Sequence, residues 1–67
     1  MPSEADWVIV ATYADMATAQ LYSAMLSAEG IGNVLHSDRD PVLNIGEVEL
    51  RVLRDDALRA RHLIFSA

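Results

Sequence analysis

The sequence predicts an α+β domain of order β-α-β-β-α, with a three-stranded antiparallel sheet and two helices on one face. Three observations carry that reading: the β-branched and aromatic run DWVIVATY, an alanine-rich segment between Asp15 and Gly30, and the alternation of EVELRVL. Connections between these segments are short, and no repeat, linker or low-complexity stretch interrupts them.

Met1 to Ala5 reads as a frayed lead-in. Residues 6–13 then favour a strand, because β-branched and aromatic side chains fit a pleated surface. Strict alternation would place Trp7, Ile9, Ala11 and Tyr13 on one face and Val8, Val10 and Thr12 on the other. Both sets are largely apolar, which suits a strand covered on each side.

Residues 15–30, DMATAQLYSAMLSAEG, predict a helix. Asp15 is a suitable N-cap for the unpaired amides of the first turn. Ala17, Leu21, Ala24, Met25 and Ala28 recur at helical spacing and form the expected buried stripe. Gly30 stands where a left-handed C-terminal residue is needed.

IGNVLH (31–36) predicts a short second strand weakened by Gly32. In EVELRVL (47–53), Val48, Leu50 and Val52 point one way while Glu47, Glu49 and Arg51 point the other. Asp55 is expected to cap a second helix, 56–66, with Asp56 in its first turn. Ala57, Ala60, Leu63 and Ile64 would form its inner stripe, with Arg59 and His62 on or near the outer face. A right-handed crossover followed by a hairpin makes this a ferredoxin-like arrangement that stops before its fourth strand.

The chain of 67 residues predicts a single domain spanning 1–67. A domain of roughly 60 residues buries only ~60% of the surface its unfolded chain exposes. No cysteine is present, which removes disulfides and thiolate metal sites together. Yet 52% of residues are apolar, more than one small core easily hides. The open edge at strand 1 invites another chain, so a homo-oligomer, most simply a homodimer, is expected. Trp7, Ile9 and Tyr13 are its expected anchors, since aromatic groups supply large apolar contact area.

Ten acidic residues against five arginines, with no lysine, give a net charge of −5. Phosphate binding needs clustered basic groups, so neither nucleic acid nor an anionic membrane is an expected partner. The N-terminal residues lack a signal peptide's basic start and apolar stretch. No apolar run approaches the ~20 residues needed to span a bilayer. A soluble cytoplasmic protein is the expectation.

The segments WVIVATYAD, AQLYSAMLSAEGI and VELRVLRDDALRARHLI together cover nearly the whole chain. In them the chain resembles a family of small bacterial domains described as prokaryotic signal-transducing proteins. That resemblance implies a fold like the PII-type nitrogen-signalling proteins and a regulatory or binding role without catalysis. The strand 2 to strand 3 loop is shorter and more acidic than the family suggests. In PII-type proteins that loop reaches partners, so the resemblance singles out no specific one.

That loop holds the densest chemistry in the chain: His36, Asp38, Arg39 and Asp40 fall within five positions. Read as an EF-hand beginning at Asp38, it places Val42 and Leu43 where an oxygen ligand and a glycine are required, and the motif fails. Aspartate and proline are also ordinary turn formers. His36 to Pro41 is therefore expected to be a solvated turn that offers a contact surface for a protein partner or small ligand. The alternative is a divalent-metal or small-ligand sensor using His36, Asp38 and Asp40. Ser23, Ser27 and Ser37 lack a nucleophile elbow, and no glycine-rich phosphate cradle is present. No catalytic residue and no cofactor is expected.

Overall fold

The computed structural model describes residues 6–37 and 47–66. It is an α+β fold of β1 (Trp7–Tyr13), α1 (Met16–Ala28), β2 (Asn33–Ser37), β3 (Val48–Leu53), a 3-10 turn (Arg54–Asp56) and α2 (Ala57–Ser66). The strands form one sheet in the order β1-β3-β2, with β3 antiparallel to both neighbours. Helix α1 therefore carries the chain from one side of the sheet to the other, leaving the central place for β3. Both outer strands have an unpaired edge among the described residues.

Both helices pack on the same face. Val10, Leu26, Ile31, Leu50, Val52, Ala60 and Ile64 make one continuous core drawn from every layer. The alternation of β3 holds as expected: Val48, Leu50 and Val52 are buried, while Glu49, Arg51 and Leu53 point away from the helices. The inner stripe of α2 also stands, with Ala60 and Ile64 buried and Ala57 and Leu63 packed against the core.

Helix α1 starts as its sequence requires. Asp15 Oδ1 accepts the Thr18 amide at 2.7 Å, and its Oδ2 accepts the Thr18 hydroxyl at 3.0 Å. The helix ends in a Schellman motif. Gly30, at φ 78°, donates to the Ser27 carbonyl, and Ile31 donates to that of Leu26. Ile31 and Leu26 are both fully buried, giving the motif its apolar contact. Arg59 of α2 then donates to the Glu29 carbonyl at 2.9 Å, tying the second helix to the end of the first.

Four expectations are corrected. The register between β1 and β3 slips between Ile9 and Ala11, leaving Val10 as the extra residue of a bulge. Past it the strand changes phase, so Ala11 and Tyr13 join Val8 and Val10 toward the helices, and Thr12 joins Trp7 and Ile9. Of the expected stripe only Met25 packs against the core; the buried side of α1 is Ala19 and Leu26 flanked by Tyr22, Ser23 and Met25, whereas Leu21 is 68% exposed and Ala17, Ala24 and Ala28 face outward. This helix is apolar nearly all round, so periodicity allows two phases, and side-chain partners on β1 and β2 select between them. β2 begins at Asn33, two residues later than expected, with Gly32 ahead of it. Asp55 lies inside the 3-10 turn instead of capping α2 from outside.

The partners that select the phase of α1 are specific. Tyr22 stacks on Tyr13 with ring centroids 5.0 Å apart and planes 9° from parallel. Asn33 accepts the Ser23 hydroxyl and donates to Ser27 Oγ and the Ile31 carbonyl, both at 3.0 Å. It also reaches the Ser23 carbonyl at 3.3 Å. Polar Ser23 is thereby turned toward the sheet while apolar Leu21 is left outside.

Candidate functional site

The face of the sheet opposite the helices is the best candidate for a working surface. Cross-strand register organises it in rows, because directly opposed residues share a face. One row is Ile9, Arg51 and Val34; the next is Thr12, Glu49 and His36. Beyond Arg51, Trp7 stands opposite Leu53. The face thus has a charged pair on its central strand and apolar side chains on both flanks.

The charged pair is close and partly buried. Arg51 Nη2 lies 2.6 Å from Glu49 Oε1, and the two side chains keep only 22% and 25% of their exposure. Arg51 Nε is sealed from water and has no hydrogen-bond partner among the described residues. A buried donor left unpaired costs ~1–3 kcal/mol, so this arginine is held at some expense to the isolated subunit. Ile9 and Val34 beside it are 42% and 44% exposed. Complete burial of such side chains is worth ~1.5–3 kcal/mol each, and part of that gain is still available on this face.

Of the three residues expected to anchor an oligomer, the structure brings Trp7 and Ile9 onto this face and sends Tyr13 to the other. Tyr13 packs against the core, and its hydroxyl is buried without a hydrogen-bond partner among the described residues. Burial, with the neighbouring Tyr22 adding to it, raises the Tyr13 pKa above its ordinary value. Of the expected contact turn, His36 is an exposed residue inside β2, one short of its end, opposite Glu49 on the open face. Asp38, Arg39 and Asp40 lie outside the described residues.

Sequence reasoning missed Val34, Leu53 and the Glu49–Arg51 pair as parts of one surface. The alternation of β3 already placed both charges on one side; the missing signal was the pairing that sets Val34 and Ile9 beside them.

Two shallow hollows lie elsewhere. One of about 450 Å³ is lined by Leu21, Tyr22, Ala24 and Met25 on α1. The other, of about 310 Å³, is lined by Asp6, Leu53, Arg54 and Asp55. The first lining is apolar apart from the Tyr22 phenol, and the second joins Leu53 to three charged residues. Among the described residues no three histidine or acidic side chains cluster as metal ligands would, and no helix is long and apolar enough to cross a membrane.

No family model matches the chain, and searches of curated proteins and of solved structures found no match either.

Proposed function

We propose that this chain is a small non-enzymatic regulatory or protein-interaction module that works as a homo-oligomer. One observation carries the reading: an open sheet face on which partly covered Trp7, Ile9, Val34 and Leu53 surround a part-buried Glu49–Arg51 pair. Partly exposed apolar side chains grouped on one face, on a domain too small to shelter them, mark an association surface. The resemblance to signal-transducing domains agrees with a role in binding and with a cytoplasmic setting.

Sedimentation of single variants tests the reading. Trp7→Ala, on the open face, should raise the dissociation constant of the oligomer. Leu58→Ala removes a more exposed apolar group from α2, at 82% exposure, and should leave association unchanged. Equal effects of the two substitutions, or none from Trp7→Ala, would count against the open face as the association surface.

A further inference from the structure

We propose that the open face is covered by a second copy of this chain, laid sheet on sheet about a two-fold axis that crosses β3 at right angles, level with Leu50. The proposal rests on the reading that this face is an association surface, and adds the partner and the geometry.

The charges on the central strand select both. Glu49 and Arg51 stand two residues apart on the same side of β3, and Val48–Leu53 offers no other charge on that side. Exposed Glu47, just ahead of the strand, continues the same alternation and falls over the partner's Leu53, not over a like charge. Two kinds of two-fold axis lying between the sheets bring such a face onto itself. An axis running along the strands sets Arg51 over Arg51 and Glu49 over Glu49, like charges in a water-poor interface. An axis across the strands reverses β3 against its copy, so each Arg51 meets the partner's Glu49 and each Glu49 meets the partner's Arg51. The second arrangement turns two separate ion pairs into a closed cycle of four groups.

The flanks accept it. With β1 over β1 and β2 over β2, Ile9 falls over the partner's Thr12, and Val34 over the partner's His36. No flanking charge is set against its like. Stacked sheets lie ~10 Å apart and cross at ~30° because each is twisted. That twist displaces the outer strands most and the central strand least, so β3 is where charge register can be kept. Net charge points the same way. Each copy carries −5 overall, but at the centre of this face Arg51 offsets Glu49, so the middle of the contact adds no net repulsion.

A doubly exchanged chain, Glu49→Arg with Arg51→Glu, tests this. It keeps the ion pair within its own strand, so the fold is preserved, and it should dimerise with itself as the wild type does. Mixed with isotope-labelled wild-type chain, it should form no mixed dimers, because guanidinium would face guanidinium and carboxylate would face carboxylate. The single variants should behave conversely. Glu49→Arg alone and Arg51→Glu alone should each dimerise on the order of 100-fold more weakly than wild type, since like-charge contact costs several kcal/mol. Mixed together, they should associate.

Native mass spectrometry of the mixtures reads the result. Statistical mixing of the doubly exchanged and wild-type chains would overturn the proposed geometry while leaving a homo-oligomer joined elsewhere, for instance along the β1 edge. Loss of the dimer on Leu21→Arg, with statistical mixing, would instead locate the joint on α1. A wild-type chain that is monomeric throughout would overturn both this geometry and the reading beneath it, leaving the face to a partner of another kind.

Discussion

Gly30 shows most simply how one position governs the local chain. Its φ of 78° lies in the left-handed region, where a β-carbon crowds the following carbonyl. Among the described residues no atom would touch an added Cβ, so Gly30→Ala isolates the backbone term. The expected loss is ~1–2 kcal/mol, read from the denaturant midpoint at unchanged m-value. Tyr13 gives the opposite sign. Tyr13→Phe removes a buried hydroxyl that has no partner among the described residues and keeps the stacking on Tyr22, so stability should hold or rise. The same residue fixes an alkaline limb. Its folded pKa is raised by burial, so it contributes stability below the unfolded tyrosine value near 10 that is lost as pH climbs through the folded one. Thermal melts from pH 9 to 12 should therefore fall less steeply for Tyr13→Phe than for the wild type. Asp15 acts at the acid end. The Thr18 amide, followed by the Thr18 hydroxyl, lowers its folded pKa, so its contribution is present above the unfolded value and lost as pH falls. Asp15→Asn should keep the cap and flatten that acid limb.

At the scale of elements, α1 and β2 are locked by a side-chain amide. Asn33 holds Ser23, Ser27 and the Ile31 carbonyl at once. Asn33→Ala would strand several of these groups at a part-buried seam, at a cost of ~1–3 kcal/mol. A double-mutant cycle with Ser23→Ala should show coupling, because the two share one bond. This clamp also marks where sequence reading stopped. The strand alternation of β3, the cap at Asp15, the turn at Gly30 and the inner stripe of α2 were all legible, since each depends on local spacing or local backbone geometry. The buried side of α1 was not, because Leu21 and Leu26 are equally apolar and only contact with Tyr13 and Asn33 distinguishes them. The bulge at Val10 was hidden for a similar reason. A run of β-branched residues looks alike in either phase, and the phase is set by pairing with β3. That one slipped residue removes Tyr13 from the expected anchor set and puts Thr12 in its row.

The whole molecule has one face well covered and one partly bare. Its core closes between sheet and helices around Leu26, Ile31, Leu50 and Val52, all fully buried. On the far side Ile9 and Val34 stay two-fifths exposed on either side of the Glu49–Arg51 pair. The chain's only tryptophan stands at the end of that bare face, opposite Leu53, and so reports on its covering without a label. A dilution series followed by sedimentation velocity and Trp7 emission together is the most direct test. Joining of two open faces predicts a mass of twice 7.4 kDa at high concentration. It also predicts a red shift of emission on dilution, with the same midpoint as the loss of the dimer. A mass of 7.4 kDa at every concentration, with emission that never moves, would contradict it.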